Sequence, residues 1–175
     1  GQTARCETLT TPLPLPGQAL LRVKACGLNF ADLLMQKGDY QERPALPFTP
    51  GLEFAGVIEA LGYNTRGPAI GARVAAFANS GGMAEFAAVP CTQLVPLPDS
   101  MSFAQAAAFQ IAYGTAHLAL DHRAHLAAGE TLLVMGAAGG VGLTAVEIGK
   151  RMGARVIACA RGADKLTIAR GAGAD

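Results

Sequence analysis

Residues 131–159 read TLLVMGAAGGVGLTAVEIGKRMGARVIAC, and this stretch decides the fold. An apolar run from Thr131 to Met135 meets the turn Gly136-Ala137-Ala138-Gly139-Gly140-Val141-Gly142. An amphipathic segment, LTAVEIGKRMG, follows, and a second apolar run from Arg155 to Cys159 closes the unit. Strand, glycine-rich turn, helix and strand in that order predict a βαβ unit with parallel strands. The glycines match the dinucleotide-binding fingerprint G-x-G-x-x-G except at its first position, where Ala137 stands. The residue types follow from the chemistry. A diphosphate must approach backbone N–H groups at a helix N-terminus more closely than a Cβ at Gly139 or Gly140 allows, and Gly142 lets the helix lie close on the strand. Glycine clusters also mark ordinary turns, and it is the flanking strand and helix that favour a nucleotide here.

At the end of the second strand, a site for NAD places Asp or Glu to hold the ribose hydroxyls. This chain has Cys159, Ala160 and Arg161 there, with Lys165 a turn later. Two cations without a carboxylate suit a ribose 2′-phosphate, so NADPH is the expected cofactor. Two other readings stay open: Arg161 and Lys165 as ordinary solvated charges, and Asp164 as a late ribose acceptor.

Upstream of this unit the rhythm differs. ALLRVKACG, FAGVIEALG, ARVAAFA, AEFAAVP and QLVPLPD are short apolar or alternating runs broken by Pro and Gly, the pattern of a β-rich domain. From Ser102 the sequence turns Ala-rich. SFAQ is a capping box opening a helix, and TAHLALDHRAHL predicts a further helix after Gly114. The chain is therefore an α/β protein, with one domain over residues 1–112 and a second over 113–175.

Composition narrows the function. The 175 residues are 51% hydrophobic and carry a net charge of +1, enough apolar material for a core and no field to gather nucleic acid or anionic lipid. The longest stretch free of charged residues, Ser100 to Leu120, is too polar to span a membrane, and the first ten residues lack the pattern of an export signal, so a cytoplasmic protein is expected. Cys6, Cys26, Cys91 and Cys159 form no C-x-x-C pair, which argues against disulfides and a structural zinc lobe. His117, Asp121 and His125 would share one face of an α-helix, a spacing that suits metal ligands or, more commonly, a solvated surface; no metal is expected.

Six ordered blocks, ACGLNFADLL (25–34), TPGLEFAGVIEALG (49–62), GARVAAF (71–77), GGMAEFAAVP (81–90), YGTAHLAL (113–120) and GAAGGVGLTAVEIGKRMGARVIA (136–158), resemble the medium-chain dehydrogenase/reductase superfamily. Within it they are most similar to the zinc-independent NADPH:quinone oxidoreductases related to ζ-crystallin. The resemblance implies a β-rich GroES-like catalytic domain followed by the first half of a Rossmann domain. Family members are longer, so the resemblance also implies contacts beyond Asp175, inactivity of these residues in isolation, and a homodimeric parent protein.

Zinc-dependent relatives carry Cys-His and Gly-His-Glu where this chain has Asn29-Phe30 and Gly51-Leu52-Glu53. Asn, Phe and Leu do not replace a thiolate and imidazoles, so the resemblance implies no catalytic zinc. Reduction then rests on placing a hydride against an electron-poor acceptor and on hydrogen bonds to the oxygen that gains charge, which suits quinones and activated enones. Carried over by position, Asn29 and Tyr40 would line the nicotinamide and acceptor site, with Tyr40 donating to the acceptor oxygen. Thr115 would contact the carboxamide end, and Ala138, Gly139, Gly140, Val141 and Gly142 would meet the diphosphate. Bland roles stand beside these: Asn29 as a turn residue before the ADLLMQKG helix, Tyr40 as a surface tyrosine and Glu53 as a structural hydrogen-bonding group. Enoyl-thioester reduction and a non-catalytic nucleotide-binding or structural role are the competing functions.

Overall fold

A computed structural model describes residues 4–175, and the chain separates into two compact units, Gly1–Phe109 and Gln110–Asp175. The five apolar runs of the first unit are its five strands: β1 (Gln18–Cys26), β2 (Glu53–Leu61), β3 (Arg73–Phe77), β4 (Phe86–Pro90) and β5 (Leu94–Pro96). They form one antiparallel sheet in the order β4-β1-β2-β3-β5.

Period-two alternation sends neighbouring residues of each strand to opposite faces. Leu21, Phe54, Ile58, Val74 and Val89 are buried together in one cluster, each contributing roughly 1.5–3 kcal/mol. Ala55 and Ala75 belong to a second cluster, where Ala106 and Ala107 of α2 (Phe103–Ala107) cover them. The predicted capping box opens α2: Gln105 N–H donates to Ser102 Oγ at 3.2 Å, and Ser102 N–H donates to Gln105 Oε1 at 2.9 Å. Helix α1 (Phe30–Lys37) follows β1 and stops at Gly38, whose φ of +77° suits glycine and whose N–H reaches the Met35 carbonyl. Only a short 3-10 turn, Cys91–Gln93, joins β4 to β5.

The second unit contains α3 (Gln110–His117), a π-helical turn (Leu118–Arg123), β6 (Thr131–Met135), α4 (Gly140–Arg151), β7 (Arg155–Cys159) and α5 (Ala163–Gly171). β6 and β7 are parallel, with Thr131 opposite Arg155 and Met135 opposite Cys159, so the βαβ unit forms as predicted. Val134, Ala137, Val146, Ala154, Val156 and Ala169 make its core.

Three sequence expectations shift. The division between the units falls between Phe109 and Gln110, whereas the expected one at 112/113 lies inside α3. The helix expected after Gly114 instead runs through it, because one glycine costs only about 1 kcal/mol in a helix and Ala116 and Leu120 are buried beyond it. That helix then widens into the π turn and ends at Ala124, short of the predicted His125-Leu126. No helix among the described residues is long and apolar enough to cross a membrane.

Candidate functional site

The glycine-rich turn divides its glycines by task. Gly136 leaves β6 with a φ of +68°, the left-handed region that favours glycine. Ala137, at the position where the fingerprint has its first glycine, is fully buried, and its N–H donates to the Cys159 carbonyl at 3.0 Å. The Cβ of Ala137 therefore packs in the core while Gly136 makes the bend, which explains the departure from the fingerprint. At Gly142 a Cβ would lie 2.3 Å from the Gly136 carbonyl oxygen, so only glycine lets α4 begin this close to the turn.

Gly140 obeys no such internal demand. Its φ lies outside the left-handed region, and an added Cβ there would have no protein atom within 4 Å. Gly139 is tighter, since an added Cβ would lie 3.3 Å from the Gly136 backbone oxygen. These residues cap and open α4, whose N-terminus receives no side-chain hydrogen bond. The first N–H groups of a helix have no partner within it, and together with the helix dipole they attract an anion. Ala138 is half-buried and Val141 exposed on the same turn. The expected phosphate contacts at Ala138, Gly139, Gly140, Val141 and Gly142 thus lie on one open, uncapped helix start.

Arg161 is exposed at the end of β7, immediately before Gly162, and Lys165 is exposed in the first turn of α5 beside Asp164. Neither cation forms an ion pair among the described residues. Thr115 is exposed on α3. That helix is fastened to α4 by two links the sequence did not suggest. Thr144 Oγ1 donates toward the Ala112 carbonyl at 3.0 Å, and the Tyr113 hydroxyl donates to Glu147 Oε2 at 2.5 Å. The hydrogen bond to Glu147, helped by partial burial, raises the pKa of Tyr113 above its ordinary value.

In the first unit, Asn29 opens α1 as its N-cap, with its own N–H donated to Asp32 Oδ2 at 2.8 Å. Its side-chain amide donates to Glu53 Oε1 at 2.9 Å. Glu53 is 2% exposed, and its backbone carbonyl accepts from Gly27 at 2.9 Å. Asp32, also buried, accepts from Gly51 N–H at 3.1 Å through its second oxygen. Asn29 is therefore held by two carboxylates, one at each end of the residue. Asp32 was not recognisable in advance, since ADLL reads as an ordinary first helical turn.

Cys26 lies beside this group with its thiol pushed up to about 11, by burial first and then by the charges of Asp32 and Glu53. It packs against the β-sheet core. Phe30 is exposed and Leu52 buried. Tyr40 is half-exposed past the end of α1, and its hydroxyl makes no hydrogen bond among the described residues.

The expected alignment of His117, Asp121 and His125 fails. The π turn shifts the register, and His125 sits beyond the helix with a φ of +51°. His122 takes its place beside His117 and Asp121.

Comparison with known proteins places these features in context. Residues 15–99 match the alcohol dehydrogenase GroES-like domain. A quinone oxidoreductase of Pongo abelii is 44% identical over 153 residues, covering 87% of this chain and 46% of that protein. Among solved structures, the quinone oxidoreductase of Thermus thermophilus, determined alone and in complex with NADPH, superposes with a TM-score of 0.86 at 43% identity over 97% of this chain and 53% of that one. A probable oxidoreductase of Mycobacterium abscessus gives a TM-score of 0.89 at 41% identity over 95% and 54%. The chain spans about half the length of the curated relatives it matches.

Proposed function

This chain belongs to the medium-chain dehydrogenase/reductase superfamily, among its quinone oxidoreductases, and from that premise we propose that it forms part of an NADPH-dependent reductase of quinones or activated enones. The observation that carries the reading is Gly140. This glycine is required neither by its backbone angle nor by any neighbouring protein atom, and it stands at an uncapped helix N-terminus directly after a parallel strand. In this reading a bound ligand accounts for the missing side chain, and the helix start selects an anionic one.

The residues fit a dinucleotide phosphate. The backbone N–H groups around Gly139–Gly142 hold the diphosphate, with Ala138 and Val141 flanking it. Arg161 and Lys165, uncommitted to any carboxylate among the described residues, pair with the 2′-phosphate. Thr115, on a helix held by Tyr113–Glu147 and Thr144, serves the carboxamide end. A bound reduced nicotinamide supplies the hydride.

The first unit serves the acceptor. Asn29 cannot rotate freely, because Glu53 holds its amide nitrogen. Tyr40 offers its hydroxyl to the oxygen that gains charge. Where a catalytic zinc would need ligands, the chain has Asn29 bound to Glu53, and Phe30 and Leu52 with no donor atoms. Activation by hydrogen bonds alone favours acceptors that are already electron-poor, so the proposed chemistry is zinc-independent.

The test follows NADPH oxidation by the full-length parent protein with 1,4-benzoquinone, a short enone and an enoyl thioester, each with and without chelator. Turnover of the quinone or enone, unaffected by chelation, is expected. Turnover of the thioester alone would favour an enoyl reductase. NADPH binding without turnover of any acceptor would favour a non-catalytic role, and loss of activity on chelation would contradict the zinc-independent chemistry.

A further inference from the structure

We propose that the π-helical turn after α3 holds a borderline divalent transition cation, of the zinc type, through His117, Asp121 and His122. Counting residues at α-helical spacing would choose His125 as the third group. The wider turn changes the geometry: in an α-helix residue i+4 returns above residue i, whereas in a π-helix residue i+5 does so as well. His117 is thereby brought next to two consecutive residues, Asp121 and His122.

The ligand atoms of the three side chains all lie within 4.8 Å of one another. His122 Nε2 is 3.7 Å from Asp121 Oδ2, and the two imidazole rings are centred 6.2 Å apart. His125 has left the helix, past the Ala124 cap, with a φ of +51°. All three groups are exposed, so small side-chain rotations can close the triangle to the metal–ligand distances of about 2.0–2.2 Å that zinc requires, with water completing the shell.

The donor set defines the ligand class. Two imidazoles and one carboxylate suit Zn²⁺, Ni²⁺ or Cu²⁺, whereas Ca²⁺ and Mg²⁺ prefer oxygen ligands throughout. A cation held here bridges the end of α3 to the middle of the π turn. It would stabilise a widened turn that backbone hydrogen bonding alone rarely sustains. This site does not depend on the proposed reductase chemistry.

The experiment is a calorimetric titration of the untagged protein with Zn²⁺ in a buffer free of chelators. Far-UV circular dichroism of each variant verifies the fold. One saturable equivalent is expected, weakened at least tenfold in His117→Ala and in His122→Ala and unchanged in His125→Ala. The proposal is overturned if no saturable binding occurs, if binding is indifferent to His117→Ala and His122→Ala, or if His125→Ala loses as much as His122→Ala.

Discussion

The side-chain amide of Asn29 donates to Glu53 Oε1 at 2.9 Å, tying the residue that opens α1 to the first residue of β2. Because Glu53 is buried, breaking this link removes one hydrogen bond from a carboxylate held in a dry place. Glu53→Ala is expected to lower stability by about 1–3 kcal/mol and Asn29→Ala by about 1 kcal/mol, read from denaturant midpoints. Midpoints equal to that of the unaltered protein would show that the pair does not support the fold.

The two exposed cations near the end of β7 make cofactor choice measurable. Replacing Arg161 by Ala should weaken NADPH binding about tenfold or more, the loss of one charge-assisted contact, and leave NADH binding unchanged. Lys165→Ala should act in the same direction. Fluorescence titration with both nucleotides reads the difference, and equal losses for the two would reject the 2′-phosphate assignment.

Tyr113 carries a pH signature. Its hydrogen bond to Glu147 raises its pKa above the ordinary 10.0, so the folded protein keeps the phenolic proton more tightly than the unfolded chain does. The resulting stabilisation is complete below the unfolded value and is lost as pH rises through the folded one. In a Tyr40→Phe, Tyr63→Phe background, ultraviolet titration should find Tyr113 ionising above 10, and adding Glu147→Gln should move it back down.

Cysteine labelling separates buried from exposed thiols. With its thiol at about 11, Cys26 should stay unlabelled by a maleimide at about pH 8 while the exposed Cys6 reacts, as mass spectrometry of tryptic peptides would show. Rapid modification of Cys26 would mean that the group around Asn29, Asp32 and Glu53 is open to solvent.

Much of this was legible in the sequence, for reasons that differ by element. The five strands of the first unit and the βαβ core announced themselves through alternation and through glycines, which are strong local signals. Thr131–Met135 and Arg155–Cys159 were read with their observed ends. Helix starts were harder: α3 passes through Gly114 because burial outweighs a weak local preference. The π turn was invisible, since no residue pattern marks it, and with it went the pairing of His117 with His122. Asp32 and the Tyr113–Glu147 link also escaped, because each depends on a partner far along the chain, Gly51 in one case and α4 in the other.

The central claim is that Gly140 lacks a side chain for the sake of a bound diphosphate. Gly142 supplies the contrast, since Gly142→Ala would press a methyl group to 2.3 Å from the Gly136 oxygen and should cost about 1–3 kcal/mol of stability. The decisive measurement compares Gly140→Val with the unaltered protein in thermal melting and NADPH titration. An unchanged melting midpoint is expected, with NADPH affinity reduced at least tenfold. A folded Gly140→Val protein that binds NADPH as tightly as the original would contradict the claim.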